Sequence, residues 1–161
     1  ENDLKSVDNL ISIYYTSVGR GCNLLLNSNP KKDGLIPESD MARYTEFGAE
    51  IKRRFRKCIA HKSQCDTDSR EMPTIKLNFD EPTKIDTFVT IEDIEDGQRI
   101  KKYLIEAYLD GKYREVVKGS SIGHKKIDEI SPISTKHVRI KVQDSFARPK
   151  IISFSAYRCM R

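Results

Sequence analysis

No run of apolar residues in this chain approaches the roughly 20 that a membrane-spanning helix needs, which excludes a helical membrane span. The N-terminus has no basic n-region, apolar h-region and small-residue cleavage site, so no signal peptide is visible. An initiator methionine is also missing. The chain opens on Glu1-Asn2-Asp3, which points to a processed or excised piece. No Cys-x-x-Cys pair occurs among the four cysteines at 22, 58, 65 and 159. Cys58, His61 and Cys65 offer three soft donors, but zinc spacing calls for two close pairs, so no metal is expected. A local Cys58–Cys65 disulfide, or two free thiols, is the expectation instead. Four cysteines suit either redox compartment. Tryptophan is absent, and collagen-like repeats, heptads, low-complexity tails and internal repeats are all missing.

What is present is an ordinary globular composition. Of 161 residues, 37% are hydrophobic and 33% charged, a size that suits one domain, or one domain plus a fragment of another. The net charge of +5 raises the question of nucleic acid. Acidic and basic residues interleave, however, and the one dense basic cluster, Lys52, Arg53, Arg54, Arg56 and Lys57, falls where a helix should end. A solvated surface is expected, with no nucleic-acid partner. His61, His124 and His137 are scattered, and no Ser/Cys–His–Asp spacing suggests a nucleophile.

The pattern of apolar residues divides the chain. Leu4, Val7, Ile11, Tyr14 and Val18 lie at helical spacing, and Gly19 and Gly21 end that helix. Cys22–Asn27 is a short apolar run that predicts a strand buried on both faces, as in a parallel sheet. A loop through Pro30, Gly34 and Pro37 leads to a second helix from near Ser39, with Met41, Tyr44, Phe47, Ile51 and Phe55 on one face. One strand between two helices cannot bury its own faces, so this unit predicts a missing partner such as a β/α barrel. Beyond residue 72 the period changes to two. Ile75, Leu77 and Phe79, then Val138, Ile140 and Val142, alternate with polar residues, and Asp110-Gly111 marks a hairpin. About six short strands predict an antiparallel β-sandwich. The expected division is residues 1–57 as the end of a barrel, 58–72 as linker and 73–161 as sandwich.

Three stretches in the first part, Tyr14-Tyr15-Thr16-Ser17-Val18-Gly19-Arg20, Asn23-Leu24-Leu25-Leu26-Asn27 and Gly34-Leu35-Ile36-Pro37-Glu38, resemble the end of the catalytic barrel of α-L-fucosidases, glycoside hydrolase family 29. Glu92-Asp93-Ile94, Gly97-Gln98-Arg99-Ile100 and Ser121-Ile122-Gly123-His124-Lys125-Lys126-Ile127 resemble the C-terminal sandwich that follows it, of discoidin-like or galactose-binding-like architecture. The resemblance covers nearly the whole chain.

It implies a mainly β fold, an antiparallel galactose-binding-like sandwich preceded by a helix–strand–helix remnant of a barrel. It also implies a parent enzyme that removes α-linked L-fucose from glycans with retention, using two carboxylates. Both lie upstream in the family, so no catalytic residue is assigned here. Asn27, Ser28 and Asn29 would stand at the end of the last barrel strand, as rim residues of the sugar pocket; a polar turn leaving a strand would look the same. Glu92, Asp93, Arg99, His124 and Lys125 are candidates for barrel interface or glycan contact, although charged residues beside a turn are commonly just solvated. Asp66-Thr67-Asp68 and Asp93–Asp96 do not form a recognisable calcium loop. Neither metal nor cofactor is implied. The implied partners are a fucosylated glycan and the missing barrel, without nucleic acid or membrane, in a periplasmic or secreted setting. Sugar-binding sandwiches stack a pyranose face on Trp or Tyr, and the lack of Trp weighs against independent binding. The alternatives are a stand-alone carbohydrate-binding or adhesion module and a purely structural domain.

Overall fold

A computed structural model describes residues 4–65 and 73–159. Two helices come first. Helix α1 spans Val7–Thr16, and the Ser6 hydroxyl caps it by accepting the Asn9 N–H at 3.2 Å. Ten residues are too few for a helix to persist alone in water. Its stability comes from packing. Helix α2 spans Glu38–Phe55, with Glu38 and Asp40 in its first turn and Lys52, Arg53 and Arg54 in its last. Each charge complements the helix dipole, and the basic cluster ends a helix as the sequence predicts.

Six antiparallel strands follow: β1 (Cys58–Cys65), β2 (Thr74–Glu92), β3 (Ile100–Leu109), β4 (Lys112–Gly119), β5 (Lys126–Ser145) and β6 (Ile151–Tyr157). They pair in the order β1-β6-β2-β5-β3-β4. The two longest strands make this order a sandwich. The β2–β5 register breaks between Asn78 and Thr83, and the halves on either side join different neighbours. Residues 87–92 of β2 pair with β6, whereas residues 138–142 of β5 pair with β3. Strands that bend from one sheet into the other at a bulge form the corners of such a sandwich. Pro82 sits at this corner, where no ladder N–H is required.

The core fills the space between the layers. Ile75 and Leu77 of β2, Ile105 of β3, Val138 and Ile140 of β5 and Phe154 of β6 all belong to it. Phe88 and Phe154 stack across it at 5.7 Å. The Asp110-Gly111 hairpin forms as predicted, with φ of 50° and 79° at its two central residues, as a type I′ turn demands.

The helices cover the outer face of the layer that contains β6. Leu10, Ile11, Tyr15 and Phe47 pack on Val89 and Ile127, which explains why residues 85–90 of β2 are buried without alternation. Gly19 permits this close docking: a Cβ there would meet the Tyr15 carbonyl at 2.5 Å and the Ile127 side chain at 3.0 Å. The Gly19 carbonyl accepts the Ile127 N–H at 2.9 Å.

Three local expectations change. Cys22–Asn27 forms no ladder: among the described residues no strand edge lies beside it, and the nearest bridge is the isolated Arg20↔Lys126 pair. Residues 58–65 are not linker but strand β1, paired with β6 from Cys58↔Tyr157 to Cys65↔Ile151. That placement also rules out the Cys58–Cys65 bridge: the two residues end an eight-residue strand, about 23 Å apart at strand rise. Cys22, Cys58 and Cys159 are free thiols. Asp66-Thr67-Asp68 lies outside the described residues.

Candidate functional site

The residues singled out from sequence fall into two places. One is the loop end of the sandwich. Glu92 closes β2 there, and it is 1% exposed. Its Oε1 accepts the N–H groups of Arg99 at 2.8 Å and Ile100 at 2.9 Å, and its Oε2 accepts that of Gly123 at 3.0 Å. Its own N–H donates to the Gly123 carbonyl at 3.0 Å. Glu92 is therefore a staple between loops 93–99 and 120–124, and the expectation of a surface contact is corrected. With three backbone donors on one carboxylate, no acceptor is left facing solvent.

Asp93 and Arg99 hold the rim of that end. The Asp93 carboxylate accepts the Glu95 N–H at 3.0 Å, and this bond, helped by the charge of Lys150 at 3.5 Å, holds it below the ordinary carboxylate range. Arg99 binds Asp96 at 2.5 Å and the Arg148 carbonyl at 3.1 Å. The rim is a set of mutually paired charges linking loops 93–99 and 146–150.

His124 and Lys125 lead away from this end to the helices. His124 is exposed. The Lys125 ammonium lies 3.2 Å from the Tyr14 hydroxyl and within 5.7 Å of the Phe55 ring centroid. It lines two adjoining, mainly apolar grooves of about 620 and 680 Å³, which also share Tyr14 and Ile51. A third groove of about 440 Å³ joins them through Leu24 and Leu26 and reaches Asn27 and Asn29. There the Ser28 hydroxyl donates to the buried Asp40 at 2.5 Å, and the Tyr44 hydroxyl donates to the Asn27 carbonyl at 3.2 Å. Asn27, Ser28 and Asn29 thus sit on the start of α2, and Lys125 shares their apolar surface. Asp93 and Arg99 do not.

Sequence patterns missed a polar cleft between α1 and β5, because outward charges on a strand look merely solvated. Asp8, Arg20, Arg54, Asp128 and Glu129 line it. Burial raises the carboxyls of Asp128 and Glu129 above their ordinary range. Asp128 accepts the Tyr103 hydroxyl at 2.7 Å, and burial, reinforced by that carboxylate, pushes the Tyr103 hydroxyl up. Arg54 donates to Glu50 at 2.8 Å and to the Tyr15 hydroxyl at 3.2 Å, which fixes α2 over α1. Burial pushes the Tyr15 hydroxyl up to about 12. Among the described residues, no three His, Cys, Asp or Glu side chains are grouped to hold a metal ion. None of the helices described is long and apolar enough to cross a membrane.

Comparison with known proteins agrees with this layout. The F5/8 type C domain model matches residues 60–155. A crystal structure from Bacteroides thetaiotaomicron VPI-5482, of a protein assigned as an α-L-fucosidase, superposes with TM-score 0.89 and 37% identity, covering 98% of this chain and 35% of that one. A glycoside hydrolase 29 family member from an unknown rumen bacterium gives 0.87 and 30%, over 99% of this chain and 30% of that one. Alpha-L-fucosidase 1 of Arabidopsis thaliana is 25% identical over 92% of this chain and 35% of its own length. The chain thus spans about a third of the length of the curated relatives it matches. It belongs to the F5/8 type C domain family, and over nearly its whole length it is similar to the C-terminal part of α-L-fucosidases.

Proposed function

We propose that this chain is the C-terminal part of a retaining α-L-fucosidase, its sandwich an accessory domain carried on the catalytic barrel by α1 and α2. The observation that carries this is the helix pair itself. One side is sealed onto the sandwich by Leu10, Ile11 and Phe47. The other side keeps three connected apolar grooves and exposes Leu25 at 85% and Leu35 at 62%. Apolar surface of that extent is usually covered by a partner. In this assignment Asn27, Ser28 and Asn29 border the sugar pocket, and Lys125 and His124 meet the barrel. Asp93 and Arg99 hold the loop end of the sandwich, with the barrel or a glycan as their neighbour. Glycans trimmed by such an enzyme lie outside the cytoplasm, which favours a periplasmic or secreted setting.

Retaining hydrolysis needs two carboxyl groups about 5 Å apart across the scissile bond. The two carboxylates singled out here are committed to backbone N–H groups, Glu92 to those of Arg99, Ile100 and Gly123 and Asp93 to that of Glu95, which favours a catalytic pair elsewhere. Release of the phenol from an aryl α-L-fucoside at neutral pH tests the proposal. The 161-residue chain is expected to show no turnover above buffer, and a polypeptide extended upstream through the barrel is expected to turn over. Turnover by the chain alone, abolished by Asp93→Asn, or an inactive extended polypeptide, would overturn it.

A further inference from the structure

Three side chains in the first two turns of α2 reach three other parts of the chain. Asp40, Arg43 and Tyr44 stand at i, i+3 and i+4, so they share one face of the helix. Asp40 Oδ2 accepts the Ser28 hydroxyl at 2.5 Å, the length of a charge-assisted O–H···O⁻ bond. Its Oδ1 accepts the Ser39 hydroxyl at 3.2 Å. Arg43 donates to the Lys5 carbonyl ahead of α1, and the Tyr44 hydroxyl donates to the Asn27 carbonyl at 3.2 Å. Two consecutive residues, Asn27 and Ser28, are thus pinned to one helix, the first through its backbone and the second through its side chain.

Asp40 is only 7% exposed. A carboxylate in the first turn of a helix complements the helix dipole, but that role needs no burial, and the exposed Glu38 fills it from solvent. Burying a second carboxylate costs free energy that its bonds must offset. The bond that leaves its own turn is the one to Ser28, 12 positions away, and it closes loop 28–37 at the base. Asp33 closes only the tip of that loop, by accepting the Leu35 N–H at 3.0 Å. Exposure alternates around Ser28: Asn27 and Asn29 are exposed, and Ser28 is half-buried. Both asparagines line the same groove of about 440 Å³ as Asp40 and Tyr44. Among the described residues, neither asparagine side chain has a hydrogen-bond partner.

We infer that Asp40 is a positioning residue for the sugar pocket: by holding Ser28 it sets the free amides of Asn27 and Asn29 at the pocket's border. The inference rests on the fucosidase reading, which puts those three residues there. An amide carries its donor and acceptor in one plane, so what it offers a sugar hydroxyl depends on how that plane is held. A rim that binds but takes no part in the bond changes acts on ground state and transition state alike. Loosening it raises KM and leaves kcat unchanged.

The test uses the polypeptide extended upstream through the barrel, with an aryl α-L-fucoside as substrate. Asp40→Ala is expected to raise KM roughly five- to tenfold, with kcat per folded enzyme unchanged. Asp40→Asn, which keeps an acceptor for Ser28, is expected to stay within about twofold. Ser28→Ala should match Asp40→Ala, and the double variant should be no worse than either. A merely structural Asp40 would instead lower the folded fraction, so the rate would fall with KM unmoved. Should Asp40→Ala fail to fold, Ser28→Ala carries the test, because it leaves α2 unaltered. In the 161-residue chain, the heteronuclear NOE of the Asn27, Ser28 and Asn29 amides is expected to drop in Ser28→Ala, which reads the loss of order without any turnover. An unchanged KM in the single variants, additive effects in the double variant, or an unchanged NOE would overturn the inference and leave the fucosidase reading intact. An inactive extended polypeptide would overturn that reading, and the inference with it.

Discussion

A single carboxylate organises the loop end of the sandwich. Glu92 brings no surface chemistry, yet it satisfies three backbone N–H groups that would otherwise be orphaned as two loops turn away from the strands. Glu92→Gln keeps the shape but sets an amide N–H₂ against a backbone donor, leaving at least one buried group unpaired. We expect it to lose about 2 kcal/mol in urea unfolding. A loss near zero would mean that water replaces the carboxylate and that the staple is incidental. The expectation that Glu92 contacts a partner failed for a physical reason: sequence shows the charge but not the donors that converge on it from seven and 31 residues away. Asp93, one residue on, makes its bond locally instead, to the Glu95 N–H.

Among elements, α2 carries the clearest pH dependence. Glu50 sits one turn before Arg53 and Arg54 and binds both, at 2.7 and 2.8 Å. Arg53 first, and Arg54 with it, lower its carboxyl from the ordinary 4.5 to about 2. The folded state therefore binds fewer protons than the unfolded one between those values. The stabilisation is fully present above the ordinary value and is lost as pH falls towards 2. Solvent screening limits it to about 1 kcal/mol. Thermal unfolding of the chain and of Glu50→Gln, followed from about pH 6 to pH 2, should show the gap between them closing over that window. A constant gap would remove the ion pairs as its cause. The strands teach a different lesson. The strand alternation beyond residue 72 and the Asp110-Gly111 turn could be seen in the sequence, but the corner at residues 79–83 could not, because it depends on two strands bending together.

For the whole molecule, the uncovered side of the helix pair has a cost in solution. Leu25, Leu35, Ile36 and Met41 are exposed at 85%, 62%, 44% and 49%. In the isolated chain this patch should drive weak self-association and binding of an apolar dye, and Leu25→Ser with Leu35→Ser should relieve both without moving the unfolding midpoint. Sedimentation and dye fluorescence check this; a monomeric, dye-silent chain would show that the patch is closed by the chain itself. The sequence by itself determined the helices, the antiparallel class, the hairpin and the resemblance that runs along the chain, because periods of 3.6 and two, glycine turns and motif order are local properties. It misassigned Cys22–Asn27 and Cys58–Cys65, because whether a run becomes a strand depends on the edge available to it. The tertiary structure alone supplied that edge in β6, withheld one from Cys22–Asn27, turned Glu92 inward, and set Tyr108, Tyr113 and His137 in one row. Ladder register and burial are relations between residues far apart in the chain, and only the folded chain fixes them.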